Sequence, residues 1–255
     1  MISLSYKSGF VFLSVATMLL TGCKSEENTP VVWQSAPVIA LLNGVYDGQA
    51  TVSEIRKHGD QGLGTWDKLN GEGIILDGKF YQVLYDGTVK EANEDQIMPF
   101  AQVCFSEEET EINIPKGLNY QELQAFIEQK LPTANTYFAL RLEGEFEELE
   151  TRSLPEQQKP YVPFWEVQQE ESHFYFTSIN GTGIGFRSPD YMGNISPAGY
   201  HFHFLSDKRD AGGHVLNLKT GNLKLYIQRL NQFAAIYPTS KEFDNADLDS
   251  IASPN

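Results

Sequence analysis

The sequence predicts an α+β fold made of two strand-rich halves, with mixed or antiparallel sheets, few helices, and the clustered histidines His201, His203 and His214 on adjacent strands of the C-terminal half. Three observations predict it. Most patterned segments are short runs separated by turn signals, Asp77-Gly78 and Asp86-Gly87 among them, and such pairs supply the positive φ of hairpin turns. Leu118–Pro132 is the one strong helical pattern. The Pro-rich run "LPEQQKPYVPFWEV", Leu154–Val167, stands between two strand-rich stretches.

The elements follow in chain order. Residues 1–22 predict a lipoprotein signal peptide: Lys7 precedes an apolar run from Gly9 to Leu20, too short to span a bilayer. It closes on "LTGC", Leu20–Cys23, which resembles a bacterial lipobox with Cys23 as the acylated residue. The protein is therefore expected to be exported and lipid-anchored to the cell envelope. Residues 23–36 read as a tether. Residues 37–160 are expected to form an N-terminal α+β domain, and residues 161–255 a C-terminal β-rich zinc-binding domain.

Within the first domain, "EGIILDGKFYQVLYDGTVKEA" (Glu72–Ala92) reads as strands joined by the two Asp-Gly turns. In the helix, Leu118, Leu123, Phe126 and Ile127 lie close to one face, and Asn119 can cap its start. "TYFALRLEGEFEELETRS" (Thr136–Ser153) reads as two strands around Gly144. The second domain has strands in Ser172–Pro189, in the histidine-bearing stretch and in Gly221–Leu230, then a polar, acidic tail from Asp244. "GTGIGF" (Gly181–Phe186) lacks the glycine spacing and the following helix of a dinucleotide loop. With Cys23 acylated, Cys104 has no cysteine left to pair with, and "FAQVCF" suits a small buried apolar residue.

The formal net charge of −15 argues against a nucleic-acid partner, which needs a basic face. An anionic substrate would need local positive charge.

Of the five histidines, three fall in "GYHFHFLSDKRDAGGHVLNL", Gly199–Leu218. On a strand, period two places His201 and His203 on one face and Tyr200, Phe202 and Phe204 on the other. "SDKRDAGG" returns the chain, so His214 can supply a third nitrogen from the neighbouring strand. Three neutral imidazoles suit zinc and leave a coordination position open, the catalytic type of site. A cupin would use His-x-His with a later carboxylate, for which Asp207 is placed, but its glycine spacing and second histidine motif are missing. A metallo-β-lactamase-like site would want Asp and His directly after the pair, where this chain has Leu205 and Ser206.

Together with "GTWDKLNGEGIILDGKFYQV" (Gly64–Val83), "TRSLPEQQKPYVPFWEV" (Thr151–Val167) and "GFRSPDYMGNISPAGYHFHFLSDKRDAGGHVLNL" (Gly185–Leu218), the histidine stretch resembles the α-acetolactate decarboxylase family. The resemblance covers nearly all of the chain after the tether. It implies decarboxylation of (S)-2-acetolactate to (R)-acetoin, in acetoin and 2,3-butanediol formation. It implies a zinc ion held by His201, His203 and His214, catalytic roles for Glu72 and Arg152, a supporting Thr65, and a homodimer. The family's functional glutamate near the C-terminus has no match, since no glutamate follows Glu242; Asp247 and Asp249 are the available carboxylates. Two other readings stay open: an exported lipoprotein binding metal or a small ligand without turnover, and a cupin-like metal-dependent dioxygenase.

Overall fold

The computed structural model describes Met1, residues 30–107 and residues 110–253. Cys23, the rest of the signal segment and most of the tether lie outside the described residues. No helix among the described residues is long and apolar enough to cross a membrane.

The chain opens with β1 (Val31–Ser35), α1 (Val38–Leu42), β2 (Ala50–Thr51), α2 (Val52–Ile55) and β3 (Gln61–Thr65). β4 (Glu72–Leu76), β5 (Lys79–Val83), β6 (Val89–Glu91), β7 (Ile97–Met98), β8 (Phe100–Cys104) and β9 (Thr110–Asn113) follow. Then come α3 (Tyr120–Glu128), β10 (Tyr137–Ser153), α4 (Phe164–Val167), β11 (Ser172–Ser188), β12 (Gly199–Ser206), β13 (Gly212–Leu230), β14 (Gln232–Ile236) and α5 (Lys241–Asn245). The fold is α+β and strand-rich, as expected.

One sheet has the order β14-β1-β8-β3-β4-β5-β6 and is mixed, because β1 runs parallel to β14 and antiparallel to β8. A second has the order β10-β11-β12-β13-β9, and its strand pairs are antiparallel, while β2 and β7 form a short antiparallel sheet of their own. A further antiparallel pairing of β10 with β13 closes β10 to β13 into a ring. The sheets do not divide at residues 160/161: β9 and β10 belong with the later strands, and β14 returns to the sheet of β1.

The local rules hold at several points. Asp77 and Gly78, at φ 51° and 73°, join β4 to β5 with Leu76 facing Lys79, the geometry a two-residue hairpin requires. Asn119 caps α3 in a full capping box with Glu122. Cys104 is buried.

Two expectations are corrected. The tether ends before Val31, since Val32 and Trp33 are buried and β1 lies inside a sheet. β-branched and aromatic side chains at the end of a polar run favour a half-buried strand over a linker. Thr136–Ser153 also contains one strand rather than two. Gly144, at φ +127°, marks a register shift against β13, and a Cβ there would sit 2.1 Å from the Asn222 oxygen. The glycine lets the strand bulge and bend while its pairing with β11 continues.

The sheets meet through apolar faces. Ile74, Leu76, Tyr81 and Val83 of the first pack against Ile184 and Leu205 of the second. Leu63 and Phe100 cluster with Tyr137, Ala139, Phe186 and Leu230. Each such aliphatic or phenyl side chain, fully buried, contributes about 1.5–3 kcal/mol. This apolar contact brings the start of β4 against β12.

Candidate active site

Strand register builds the site. On β12, Phe202 and Phe204 turn into the core of the second sheet, so His201 and His203 face the other way. His203 lies directly opposite His214 of β13, and His214 lies opposite Arg152 of β10. His203, His214 and Arg152 thus form a row across three strands. Gly213, at φ +129°, lets β13 pass close to β10: a Cβ there would lie 2.5 Å from the Arg152 oxygen.

The three imidazoles converge. His201 Nε2 lies 3.1 Å from His214 Nδ1 and 3.2 Å from His203 Nε2, and His214 Nδ1 is 3.2 Å from His203 Nε2. His203 Nδ1 lies 2.9 Å from the Gly73 carbonyl oxygen. That oxygen can only accept, so Nδ1 carries the proton and Nε2 presents a lone pair to the cluster. Burial pushes His201 down to about 3 and holds His203 and His214 well below the usual histidine value, with the Arg152 charge adding to each. Converging neutral imidazoles leave lone pairs that need a cation, and this set could hold one metal ion.

Glu72 arrives from the first sheet. It opens β4 opposite Thr65 of β3, and its carboxylate reaches Arg152 Nη1 at 3.1 Å and His203 Nε2 at 3.6 Å. It is only 3 % exposed. Burial pushes its carboxyl up to about 7 against the pull of Arg152, with Glu171 adding to the rise. Such a group can hold or release a proton near neutrality. Thr65 Oγ1 donates to the Gly71 carbonyl at 2.9 Å and so braces the turn that presents Glu72.

The histidines, Glu72, Arg152 and Thr65 all line one cavity of about 350 Å³. The rest of its lining includes apolar Val38, Leu41, Leu42, Phe100 and Phe164. All six sequence-predicted residues of the described chain therefore meet in one place. Asp247 and Asp249 do not reach it: both are exposed on the tail, where the Asp247 carbonyl accepts from Asn43 Nδ2. Asp207, the carboxylate of the cupin reading, lines a separate depression with Thr182 and Asn222.

Sequence reasoning missed Glu171, whose Oε2 lies 3.3 Å from Arg152 Nε. It also missed Phe164, whose ring centroid is 5.6 Å from Arg152 Cζ. Glu171 carries no local signal in "QQEESHF"; only the pairing of β10 with β11 brings it to Arg152.

A fold of two main sheets with a metal-type histidine cluster, buried at His203 and half-buried at His201 and His214, beside a carboxyl–guanidinium pair, defines the class. The family model for alpha-acetolactate decarboxylase matches residues 32–250, and the chain belongs to that family of carboxy-lyases. Alpha-acetolactate decarboxylase of Methanosarcina mazei is 37 % identical over 224 residues, 88 % of this chain and 78 % of the relative. That of Bacillus subtilis strain 168 is 34 % identical over 229 residues, 89 % and 90 % of the two chains. The crystal structure of the Bacillus subtilis protein superposes with a TM-score of 0.84, covering 86 % of this chain and 94 % of that one. A Staphylococcus aureus structure of unknown function, similar to alpha-acetolactate decarboxylase, gives 0.82 at 28 % identity, with coverage of 86 % and 94 %.

Proposed function

We propose that this chain decarboxylates (S)-2-acetolactate to (R)-acetoin with a zinc ion held by His201, His203 and His214. The observation that carries the reading is the single cavity that joins a three-nitrogen cluster to a buried, protonatable Glu72 and a buried Arg152. The nitrogens, 3.1 to 3.2 Å apart, fit tetrahedral zinc, whose ligands at about 2.0–2.1 Å stand roughly 3.3 Å from one another. The neutral donor set fits as well, because it leaves the ion electrophilic.

Acetolactate is a β-keto acid with a hydroxyl on the carbon that loses CO2. Its C–C electron pair moves toward the ketone and leaves an enediolate, so the new charge sits on oxygen. A bound zinc supplies Lewis-acid stabilisation of that charge. Arg152 offers a planar donor fork to the substrate carboxylate or to the oxygen that gains charge. It is also the local cation that an anionic substrate needs on so acidic a chain. Glu72 delivers a proton to one face of the enediolate carbon, which makes a single acetoin enantiomer. The balance is one proton taken up per CO2 released, and Glu72 is recharged from solvent. The apolar part of the lining limits water around the reacting carbon. Thr65 acts through the turn bearing Glu72.

The proposal extends to location and assembly. Cys23 anchors the exported protein by lipid, and the chain acts as a homodimer; "LTGC" supports the first, and the family resemblance supports the second.

The test supplies acetolactate to the purified domain lacking residues 1–29, with zinc content and acetoin measured together. Chiral acetoin at about one zinc per chain is the expected result. Full zinc occupancy without acetoin would make the chain a metal-binding protein, and oxygen uptake with iron would favour the dioxygenase reading.

A further inference from the structure

Arg152 lies in ion-pair contact with two carboxylates, and only one has been assigned a task. Its Nη1 lies 3.1 Å from Glu72 Oε1 and its Nε 3.3 Å from Glu171 Oε2, with side chains 7 %, 4 % and 15 % exposed respectively. Glu171 does not line the cavity, yet it shares the cation that does.

Glu171 is itself braced. Its Oε1 lies 3.0 Å from His173 Nε2, and His173 Nδ1 lies 3.0 Å from Glu150 Oε1. His173 is the direct cross-strand partner of Arg152. The chain Glu72, Arg152, Glu171, His173, Glu150 therefore runs from the cavity to the surface along the β10–β11 pair. A protonated His173 donates from both ring nitrogens, and the two flanking carboxylates favour that form.

A guanidinium faced by one carboxylate turns to meet it with two parallel N–H···O bonds. If Arg152 met Glu72 alone, it would swing into that fork. The donors would then be spent on Glu72 rather than on a substrate carboxylate. A second acid 3.3 Å from Nε, in ion-pair contact without a hydrogen bond, draws the guanidinium away from that fork, and the Phe164 ring centroid lies 5.6 Å from its Cζ.

We propose that Glu171 is a positioning residue which, braced by His173, holds the Arg152 guanidinium away from a two-bond pairing with Glu72 and turned toward the substrate carboxylate. The assignment rests on the decarboxylase reading for its substrate, and it acts on binding more than on the chemical step.

The test compares the zinc-loaded full domain with Glu171→Gln, Glu171→Asp, Arg152→Lys and the Glu171→Gln/Arg152→Lys double variant. Zinc content and unfolding temperature are recorded for each. Two quantities are read: kcat and KM for acetolactate, and calorimetric affinity for 2-hydroxyisobutyrate, which carries the carboxylate and hydroxyl but no ketone to drive decarboxylation. In Glu171→Gln, KM rises about tenfold or more and the probe binds about tenfold more weakly, the scale of one charge-assisted contact. The drop in kcat is smaller, and zinc content is unchanged. Glu171→Asp recovers part of the affinity. On the Arg152→Lys background, Glu171→Gln adds less than twofold, because its effect passes through the guanidinium. Unchanged KM and probe affinity in a folded Glu171→Gln overturn the assignment, and so does a full additional loss in the double variant. Should the wild type form no acetoin, the decarboxylase reading falls. The probe ratio then decides alone: tenfold weaker binding upholds the role of Glu171, and less than twofold overturns it.

Discussion

Replacing Glu72 by Gln keeps the side chain's size and removes its transferable proton. Two opposite effects follow from one burial. On activity, a lost acid–base group costs about 10²-fold or more, and residual acetoin loses enantiomeric purity, because water protonates the enediolate from either side. On the stability of the metal-free protein, the sign reverses. Folding raises the Glu72 carboxyl from 4.5 to about 7, so the folded chain holds that proton more tightly than the unfolded one. Stability from this group is present below about pH 4.5 and is lost as the pH rises through about 7. At about 1.4 kcal/mol per tenfold change in proton affinity, the loss by pH 8 is on the order of 3 kcal/mol. Gln cannot ionise and does not incur it. The EDTA-treated variant should therefore be at least as stable as wild type at pH 8 by urea denaturation, and its advantage should vanish by pH 5. Wild-type rate and chirality would return Glu72 to a structural role. A variant less stable by more than about 2 kcal/mol at pH 8 would mean that the Arg152 pair outweighs desolvation of the carboxylate.

His203 stands at one end of the row with His214 and Arg152 and also contacts Gly73; His203→Ala should lose both zinc and turnover by metal analysis and acetoin assay, and full metal content would remove it from the ligand set. Burial keeps His201 neutral down to about pH 3 and the other two neutral well below their usual range, so protons compete little with zinc in mild acid. Equilibrium dialysis should find equal zinc content at pH 7.5 and 5.5, and half-loss near pH 6.5 would mean solvent-exposed ligands. Cys23→Ser should move the full-length protein from the membrane to the soluble fraction, since several acyl chains anchor firmly; unchanged fractionation with a mature N-terminus elsewhere would end the lipoprotein reading.

The histidine cluster was legible because its grammar is local. "HFH" on a strand states its own facing, and the return at Gly212-Gly213 places His214 beside it. The Asp77-Gly78 hairpin and the Asn119 cap were legible for the same reason. Glu72 was not legible by pattern, because "NGEG" reads as an exposed turn and only the packing of β4 onto the second sheet buries it. Its meaning, like that of Arg152, came from resemblance. Glu171 stayed hidden because it is far from Glu72 in sequence and meets Arg152 only through the pairing of β10 with β11. Gly144 misled for a physical reason: a glycine in a strand marks either an end or a bulge, and the choice depends on the neighbour across the ladder.

The hydrogen bond from His203 Nδ1 to the Gly73 oxygen crosses from one sheet to the other, and it lies one residue from Glu72. The proposed acid and the proposed ligand cage thus belong to separate layers that share a seam. Turnover reports on whether that seam is shut. A slip of a fraction of an ångström between the layers would leave every strand paired and the helical and sheet content unchanged, yet part the proton donor from the carbon it serves. Denaturant titrations should accordingly lose acetoin formation before circular dichroism moves, and pressure or mild heat should do the same. Interior side chains along the seam, such as Val83 and Leu205, then act as tuning screws for a reaction they never touch.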